Sequence, residues 1–549
     1  MDDTSGAPAL TTRSARGQDV SSILWLGIAL LSVIAVLSAQ FLNRSPARGL
    51  VYQNAALGDA TLMFIVGLVG LFGPKRWRPA CRTFPLILAG AGLLFIAAIV
   101  WNKAFIYYFD HTSYRGEIFR NANYNLHAPL YGRPVRPGGL GAAAIPIAIA
   151  IAFALFFARR PRERLRSHWL IWQLALFQVV MTGALGYYSV KAPKSLVGER
   201  MDRIMGPAEL EQFSGPGDLL RRYVSMMPQL PQKARHYPPG TALLVQFEML
   251  HGPRHLVLML ALILPALCLL PLNALCRELG FTPDQMGAAM ILYATSASIL
   301  VFPMVSLVCM TIFLLATCIW LLVRGLKRGE SSPAIALGVL FAIYTFCTFA
   351  TYMAAIFMTL VCATSLHGRL VTLRRVLIFL AIGIGVYVAA FWVLYLVSGF
   401  NIVACFRVAV RLHLEQTGSG FSGPARYLLR STGGILAFLI AAGIPLAILA
   451  SASVAGILRQ KRAAQWAGVF CISTLGAMIV AGCSGMSFLE TERIWLFFCV
   501  PLAVAAGCEL GRRVVIEGTL ALTGTILLAL ANACCYGIFF EQMLGRLPT

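Results

Sequence analysis

The chain has 549 residues, of which 58% are hydrophobic and only 12% carry a charge. A soluble protein has about twice that charged fraction, so the composition excludes a soluble globular protein and indicates a polytopic helical membrane protein. The net charge of +23 would suggest a nucleic-acid partner in a soluble chain. Here the basic residues lie in short loops between apolar segments, as is typical of membrane orientation signals, and no nucleic-acid binding is expected.

Apolar segments recur along the whole chain and predict an all-α fold with about 13–15 membrane spans. The first segment is too long for a cleaved signal sequence and is predicted to be a signal anchor. Segment 240–252 is predicted to be an interfacial or re-entrant helix ahead of a span near 255–275. The other predicted spans lie near 22–42, 57–73, 84–102, 139–158, 168–190, 285–302, 304–323, 333–348, 350–366, 376–398, 432–457, 464–482, 494–510 and 515–537.

Short basic loops and long polar loops alternate between these spans. If the N-terminus is cytoplasmic, every short basic loop falls on the cytoplasmic side, which is the orientation that the positive-inside rule favours. These loops are 75–78, 159–166, 324–328, 369–375, 459–462 and 512–513. The long loops 103–138, 191–239, 399–431 and 483–493 then lie on the outer side.

Most of the acidic residues near loops also fall on that outer side. Chemistry that requires carboxylates is therefore expected outside the cytoplasm, where no ATP is available. The chain has no GxxxxGK[ST] phosphate-binding loop. The energy for any reaction is expected to come from an activated substrate or from an ion gradient.

The outer loop 103–138 is polar and rich in tyrosine, and it contains Asp110. Sugars stack on aromatic rings and hydrogen-bond to acids, so this loop is a candidate acceptor site. An aromatic belt at the membrane interface is the alternative interpretation. The 14 cysteines of the chain are scattered, mostly in apolar segments, and are interpreted as small apolar residues without zinc or redox chemistry.

The loop 191–239 is the richest in charged side chains. Near its start, Glu199 and Asp202 lie three residues apart and are interleaved with two arginines, so they could share a helix face. One carboxylate could remove a proton from an attacking hydroxyl, while an arginine holds a phosphate. The alternative is a solvated turn stabilised by its own ion pairs.

The second half of this loop has the pattern of an interfacial helix, interrupted at 214–217. The loop ends at Arg235-His236-Tyr237-Pro238-Pro239-Gly240. Two consecutive prolines suit an extended approach followed by a helix start. We predict that they hold the preceding polar residues close to the membrane surface. The apolar anchors of the interfacial helix are predicted to be Leu210, Phe213, Leu219, Leu220, Tyr223 and Val224.

A late cluster of charge, Glu490, Glu492 and Arg493, lies where an apolar segment begins on the predicted outer side. Ionisable groups at such a depth usually face protein or a water-filled cavity. Arg493 could bind a phosphate in a site covered by loop 191–239, or it could form a structural ion pair with Glu492.

These segments resemble the C-type superfamily of membrane glycosyltransferases. The resemblance rests on a large outer loop with early acids, interface helices and a His-x-Pro-Pro-type end, and on a late charged motif. The segments that carry it are Phe213-Ser214-Gly215-Pro216, Leu219-Leu220-Arg221-Arg222-Tyr223, His236 to Gly240 and Glu490 to Phe497. The resemblance covers residues 168–510 and separates a four-span N-terminal region, 1–167, from a catalytic membrane core, 168–510, and a final span with its tail, 511–549.

The resemblance implies a hexosyl- or pentosyltransferase of the bacterial inner membrane, with active loops in the periplasm. The donor would be a polyprenyl-phosphate-linked sugar and the acceptor a glycan, lipid or protein. In that family an early acid of the first large loop acts as the base or positions the acceptor. The matching residues are Glu199 and Asp202, but they replace the usual adjacent Asp-Glu pair, so which acid acts stays open. Some members use a divalent cation such as Mg or Mn, and the scattered acids do not decide between the two cases.

We therefore expect an inverting displacement in which Asp202 or Glu199 accepts the proton of the acceptor hydroxyl. Arg493 is expected to stabilise the lipid-phosphate leaving group, with Arg235 or His236 as alternatives. Further candidate site residues are Glu490, Glu492, Tyr237 and Asp110. Three other functions stay open: an O-antigen-type polymerase or ligase, a transporter or flippase for lipid-linked sugars, and a non-catalytic assembly protein.

Overall fold

A computed structural model describes residues 13–42, 46–74, 79–111, 133–134, 140–159, 161–189, 207–231, 234–250, 256–304, 306, 308–417, 423–460, 465–484 and 494–541. This part of the chain is helical apart from one antiparallel pair of two-residue strands, in which Arg133 lies opposite Glu541 and Pro134 opposite Phe540. The all-α prediction is confirmed.

The helices follow the apolar segments of the sequence. They are α1 (Arg13–Leu42), α2 (Pro46–Phe72), α3 (Thr83–His111), α4 (Leu140–Arg159), α5 (Pro161–Leu165), α6 (Leu170–Ser189), α7 (Pro207–Leu210), α8 (Pro216–Met226), α9 (Gly240–Leu250), α10 (Leu256–Leu267), α11 (Leu269–Leu279), α12 (Pro283–Ala294), α13 (Ala297–Val301), α14 (Val308–Arg328), α15 (Ser332–Cys347), α16 (Thr351–His367), α17 (Leu373–Ser398), α18 (Ile402–Thr417), α19 (Pro424–Ala442), α20 (Ile444–Arg459), α21 (Trp466–Cys483), α22 (Cys499–Glu517) and α23 (Thr519–Phe539). Short 3-10 helices cover 227–229, 234–236, 302–304 and 496–498.

Several helices are long and apolar enough to cross a membrane, which confirms the multi-pass prediction in its coarse form. Among the described residues, six segments meet this condition, or up to seven if the bent pair α19–α20 counts as one span. The six are 83–104, 256–279, 308–328, 373–398, 466–483 and 519–538. Further apolar helices, among them α1, α2, α4 and α6, lie in the same part of the chain. The predicted number of about 13–15 spans stays a prediction.

Two segments that the sequence predicts as single spans are broken. Segment 285–302 is divided at Thr295 and Ser296, where Ser296 is extended (φ −61°, ψ 129°). Segment 432–457 is divided at Gly443, and its two helices meet at an angle of 112°. Gly443 has a positive φ of 123°, which favours glycine. Pro445 follows two residues later and lacks the N–H that would continue the helix ladder.

The helices α12 and α22 approach each other closely at two glycines four residues apart. A Cβ atom on Gly507 would lie 2.5 Å from the Cα of Ala289, and one on Gly511 would lie 2.6 Å from the N of Gln285. Small residues at such spacing allow helix backbones to approach closely and gain dispersion contacts along their length. This contact lies inside the main core, which contains residues from α1 to α23.

At one end of the bundle, arginines of the predicted short basic loops form ion pairs with acidic residues of neighbouring helices or of their own helix. Arg166 donates to both carboxylate oxygens of Asp284, at 3.0 and 2.8 Å. Arg328 contacts the buried Glu278 at 2.6 Å. Arg513 contacts Glu509 at 2.6 Å and Glu517 at 2.9 Å. Loops 159–166, 324–328 and 512–513 therefore lie at one end, called here the ionic end, while its placement on the cytoplasmic side stays a prediction.

The helices α14, α15 and α17 connect the ionic end to the opposite end. Met310, near the start of α14, belongs to a second, smaller core that is built around the predicted outer loops. Phe346, near the end of α15, and Phe400, just after α17, contact each other there with ring centroids 5.8 Å apart. The described part of loop 191–239, residues 207–231 and 234–239, thus lies at the opposite end of the bundle from the ionic end.

Candidate functional site

The second core organises the candidate site. We call residues 207–250 and 399–417 the loop layer, because they supply most of this core. The segment predicted to be an interfacial helix forms α7 and α8, and the chain between them is not helical at 211–215, whereas the interruption is predicted at 214–217. All six predicted anchors pack in this core. Its buried members are Leu210, Phe213, Leu219, Tyr223, Met227, Leu230, Ala234, Ala242, Val245, Val257, Ala261, Met310, Phe400, Cys405 and Ala409.

Helix α8 begins at Pro216, a residue whose fixed φ suits a first helical position. Asp218 in its first turn accepts hydrogen bonds from the backbone N–H of Ser214 at 3.1 Å and from Arg222 at 3.2 Å. The Ser214 N–H, followed by the charge of Arg222, holds the pKa of Asp218 below its ordinary value. The carboxylate therefore stays charged and joins the first turn of α8 to the chain before it at Ser214.

Tyr223 fixes the turn that carries three of the predicted site residues. Its side chain is almost fully buried, and its hydroxyl donates to the carbonyl oxygens of Tyr237 at 2.9 Å and Ala234 at 3.2 Å. Burial raises the pKa of Tyr223, so the hydroxyl remains a donor. Tyr223 of α8 thereby holds the turn that contains Arg235 and His236, because it bonds the residues before and after them, Ala234 and Tyr237.

Replacement of Tyr223 by Phe tests this arrangement. The variant leaves two buried carbonyl oxygens without their donor, and we expect a loss of about 1–3 kcal/mol in the free energy of unfolding. Hydrogen–deuterium exchange should rise at the amides of Arg235 and Tyr237, which donate to Pro231 and Ala234. Tyr395→Phe is the control, because that exposed ring has no hydrogen bond from its hydroxyl to the described residues. Equal exchange at 234–237 in both variants would contradict the assignment.

The Pro-Pro-Gly sequence places this turn against the helix bundle. Helix α9 begins at Gly240, as predicted, and the N–H of Leu243 donates to the carbonyl of Pro239 at 2.8 Å. A Cβ on Gly240 would lie 2.9 Å from the carbonyl carbon of Phe346. Only glycine permits this approach, so the start of α9 is pressed against the end of α15.

Helix α18 supplies a partner that the sequence analysis did not find. The rings of His236 and His413 lie with centroids 5.7 Å apart and nearly perpendicular, at 88°. Cys405 and Ala409 of α18 are buried, and Cys405 Sγ lies 3.6 Å from Met227 Sδ. His413 follows at the same four-residue spacing, so its ring lies on the buried face. This spacing within loop 399–431 was the signal that could have revealed His413.

Arg235 is the cation nearest to this histidine pair in sequence. Its Nε donates to the carbonyl of Leu230, and it forms no ion pair with any residue that the structure describes. Its side chain is half-buried. A guanidinium without a carboxylate partner, together with two imidazoles, is chemically suited to bind a phosphate.

The other predicted site residues lie outside this description. Glu199 and Asp202 fall in 190–206, and Glu490, Glu492 and Arg493 fall in 485–493, both outside the described residues. Asp110 belongs to α3, but its side chain is not described. Of the predicted set, Arg235, His236 and Tyr237 are therefore the residues whose positions are known.

The described ends of both segments join the loop layer. Segment 190–206 leads directly into α7, whose Leu210 is 1% exposed in the second core. Segment 485–493 follows Ser484, which hydrogen-bonds to Tyr352 through their side chains. Phe349, three residues before Tyr352, packs on Phe406 of α18 with ring centroids 5.3 Å apart. The residues that follow 190–206 therefore lie in the loop layer, and Ser484, which precedes 485–493, is linked to that layer through Tyr352 and Phe349.

The described residues contain no group of three or more His, Cys, Asp or Glu side chains that could hold a metal ion. The predicted acids lie outside that part of the chain, so the predicted divalent cation is not tested. Within the membrane-spanning part, the cysteines are free and most are buried among apolar side chains, as predicted.

A second polar feature joins the two helix breaks. The Ser296 hydroxyl donates to the carbonyl oxygen of Ala442 at 2.6 Å, and the Asn532 amide donates to that of Ile440 at 3.4 Å. These carbonyls belong to the last turn of α19, where Gly443 and Pro445 end the helix. Because a helix end inside a membrane has no water to bond to, the two side chains replace it.

A comparison of this chain with protein-family models, with curated proteins and with solved structures finds no match.

Proposed function

We propose that this protein is a C-type integral-membrane glycosyltransferase that moves a sugar from a polyprenyl-phosphate donor to an extracytoplasmic acceptor. One observation carries the proposal. The turn with Arg235 and His236 is clasped by Tyr223 and faces His413, at the end of the loop that also carries Glu199 and Asp202. The candidate phosphate-binding groups thus belong to the loop layer, and the candidate bases belong to the chain segment that leads into it.

The surroundings of this layer also suit a lipid-linked donor. Helices α9 and α10 expose large apolar side chains directly after the turn; these include Phe247, Leu250 and Met259, which are 48%, 51% and 56% exposed. A prenyl chain would lie along this lipid-facing surface, since apolar contact there removes no hydrogen bonds from either partner. The phosphate at the end of the chain would then reach Arg235 and His236.

The proposed reaction is a single inverting displacement. The acceptor hydroxyl oxygen attacks the anomeric carbon of the sugar while Asp202 or Glu199 takes its proton. The bond between that carbon and the phosphate oxygen breaks, and the negative charge develops on the departing polyprenyl phosphate. Arg235 and His236, with Arg493 as the further cation, stabilise that charge, and each such donor is worth about 10²–10³-fold in rate.

The proposed setting is the inner membrane of a bacterium, with the loop layer in the periplasm and the ionic end in the cytoplasm. The concentration of arginine-rich short loops at the ionic end supports this orientation. Single cysteines introduced at exposed Gln212 and exposed Leu458 would be labelled from opposite sides of sealed vesicles. Labelling of Gln212→Cys from the cytoplasmic side would overturn the orientation.

The function itself is tested with the purified protein in proteoliposomes. The donor is a short-chain polyprenyl-phosphate sugar with a radiolabelled sugar, and the acceptors are delipidated envelope fractions. The expected result is transfer of label with equal release of polyprenyl phosphate. Transfer only from polyprenyl-pyrophosphate oligosaccharides would indicate a polymerase or ligase instead. Movement of the intact donor across the bilayer without transfer would also reject the proposal.

Transport of a lipid-linked sugar is a second candidate, favoured by the paired helix breaks. In secondary transporters, discontinuous helices meet near the middle of the membrane and form the substrate or ion site. Here the breaks at 295–296 and 443 meet through the Ser296–Ala442 hydrogen bond.

Ser296→Ala separates the two candidates. If the helix breaks contribute only to the folding of a transferase, Ser296→Ala should lose about 1 kcal/mol in the free energy of unfolding. Its transfer rate per folded molecule should then be unchanged. If they form a transport site, flux of labelled donor in proteoliposomes should fall while the folded fraction stays high. The matched control is Ser451→Ala, whose hydroxyl donates within its own helix to Ala447 at 2.9 Å.

A further inference from the structure

A cavity of about 260 Å³ opens at the ionic end, between the end of α14 and the starts of α15 and α17. It lies far from the loop layer, because α17 has 26 residues and therefore spans about 39 Å from the cavity to Ser398. The proposed glycosyltransferase site does not use it.

The mouth of this cavity is lined by two arginines with different roles. Arg375 donates to the carbonyl of Leu326 at 3.3 Å and so caps the last turn of α14. Gly329, with a positive φ of 74°, leaves room for it, since a Cβ there would lie 3.1 Å from Arg375 Nε. Arg374 is exposed and has no hydrogen bond or ion pair with the described residues. One guanidinium is thus structural, and the other is available to a ligand.

Two helices begin at the same mouth. Helix α15 starts after Ser331, whose hydroxyl makes no capping bond, and α17 starts after Thr372, whose hydroxyl accepts from the N–H of Arg375. The first N–H groups of a helix have no partner within the helix and attract anions. The lining also contains the carboxylate of Glu330, which opposes an anion, but Arg324 lies 3.6 Å from it and offsets its charge.

The deeper wall of the cavity is apolar and is open to the surrounding lipid. It is formed by Ile378, Phe379 and Ile382 of α17. Ile378 is 49% exposed and its neighbour Leu377 is 56% exposed. Of an apolar stretch of 18 residues within α17, only 22% is buried in the protein. A ligand seated here would have its polar part at the arginine and helix N-termini and its apolar part along α17.

We propose that this cavity binds the headgroup phosphate of an anionic phospholipid of the surrounding leaflet, with an acyl chain lying along α17. The combination of a charged mouth, hydroxyl groups, free helix N–H groups and a lipid-exposed apolar wall suits a phosphodiester lipid. Basic pockets between membrane helices at the cytoplasmic interface favour such headgroups. A soluble phosphate compound would contact the charged mouth of the cavity but would gain no binding free energy from its apolar wall.

Arg374→Gln tests the proposal, with Arg459→Gln as the matched control at an exposed arginine of α20 outside the cavity. The purified, delipidated protein is titrated with phosphatidylglycerol, phosphatidylcholine or inorganic phosphate, and bound lipid is counted by native mass spectrometry. Unchanged protein and Arg459→Gln are expected to retain phosphatidylglycerol over phosphatidylcholine. Arg374→Gln should weaken phosphatidylglycerol binding by about fivefold, since one interfacial arginine contributes on that order.

Three results would overturn the proposal. Equal phosphatidylglycerol affinity in Arg374→Gln and Arg459→Gln would show that Arg374 does not bind the lipid. Equal binding of phosphatidylcholine and phosphatidylglycerol would show that the site does not select an anionic headgroup. Protection of the folded protein against heat by inorganic phosphate as strongly as by phosphatidylglycerol would indicate a soluble ligand. A further variant, Arg374→Lys, should retain most of the binding, because it keeps the charge at the mouth.

Discussion

Asp202→Asn and Glu199→Gln, made one at a time, are expected to leave one variant with a transfer rate about 10²–10⁴-fold below that of the unchanged protein. The proposed displacement requires a carboxylate to remove the proton of the acceptor hydroxyl. An amide of the same shape preserves contacts to the acceptor but cannot accept that proton. The rate is measured as release of polyprenyl phosphate in proteoliposomes at saturating donor, so that a change in donor binding does not contribute.

Two carboxylates in the same loop provide the controls. Glu209 lies in α7 and Glu211 just after it, both within the loop layer, and neither is part of the proposed chemistry. Glu209→Gln and Glu211→Gln are expected to transfer at rates within about threefold of the unchanged protein, since surface substitutions away from a site have small effects. The assignment is wrong if Asp202→Asn and Glu199→Gln both transfer at the unchanged rate. It is also wrong if all four variants lose activity equally.

The second large effect is expected at Gly507, where addition of a single methyl group should destabilise the fold by about 2–4 kcal/mol. In Gly507→Ala the new Cβ would lie 2.5 Å from the Cα and 2.6 Å from the N of Ala289. Those are backbone atoms of α12, which cannot rotate away as a side chain can. The helices α12 and α22 would have to separate and lose dispersion contacts along their length.

Thermal unfolding in detergent, followed by tryptophan fluorescence, measures this effect. Gly385→Ala is the matched control, because Gly385 lies in a membrane helix and a Cβ there would meet nothing within 4 Å. That variant should be as stable as the unchanged protein or more so, since alanine favours helix by about 1 kcal/mol over glycine. Equal melting temperatures for the two variants would show that the α12–α22 contact is not close.

These two predictions concern different properties of the protein, the first its chemistry and the second its folding. A loss of activity in Gly507→Ala should follow its loss of folded protein, since Gly507 is in the main core and not in the loop layer. A loss of activity in Asp202→Asn should occur without any change in melting temperature. Measurement of both quantities for each variant therefore separates a failure of chemistry from a failure of folding.

Much of the loop layer was predictable because its signals are local. The spacing of Leu219 and Tyr223 predicts one buried helix face, and both side chains are buried. Pro238-Pro239 predicts the start of α9 at Gly240, whereas the interruption predicted at 214–217 lies at 211–215, because Pro216 already begins α8. Each of these signals acts within about one helix turn, so the rest of the chain does not alter it.

The features that sequence reasoning missed depend on residues far apart in the chain. His413 lies 177 positions after His236 in the chain, and Ala442 lies 146 positions after Ser296. The apolar segment 432–457 predicts a straight span, because apolar composition alone does not report a sharp bend. At the bend, Ser296 and Asn532 donate to the carbonyls of Ala442 and Ile440 in the last turn of α19, and these bonds stabilise the helix end.

Composition, the spacing of apolar residues and the placement of arginines were sufficient to establish a helical membrane protein with basic loops gathered at one end. Those properties follow from partition between water and lipid, which acts on each segment separately. The pairing of His236 with His413, the close approach at Gly507 and the cavity beside Arg374 required the folded chain. They arise where side chains from distant segments fill, or leave open, the same small volume, and that outcome depends on how the helices pack together.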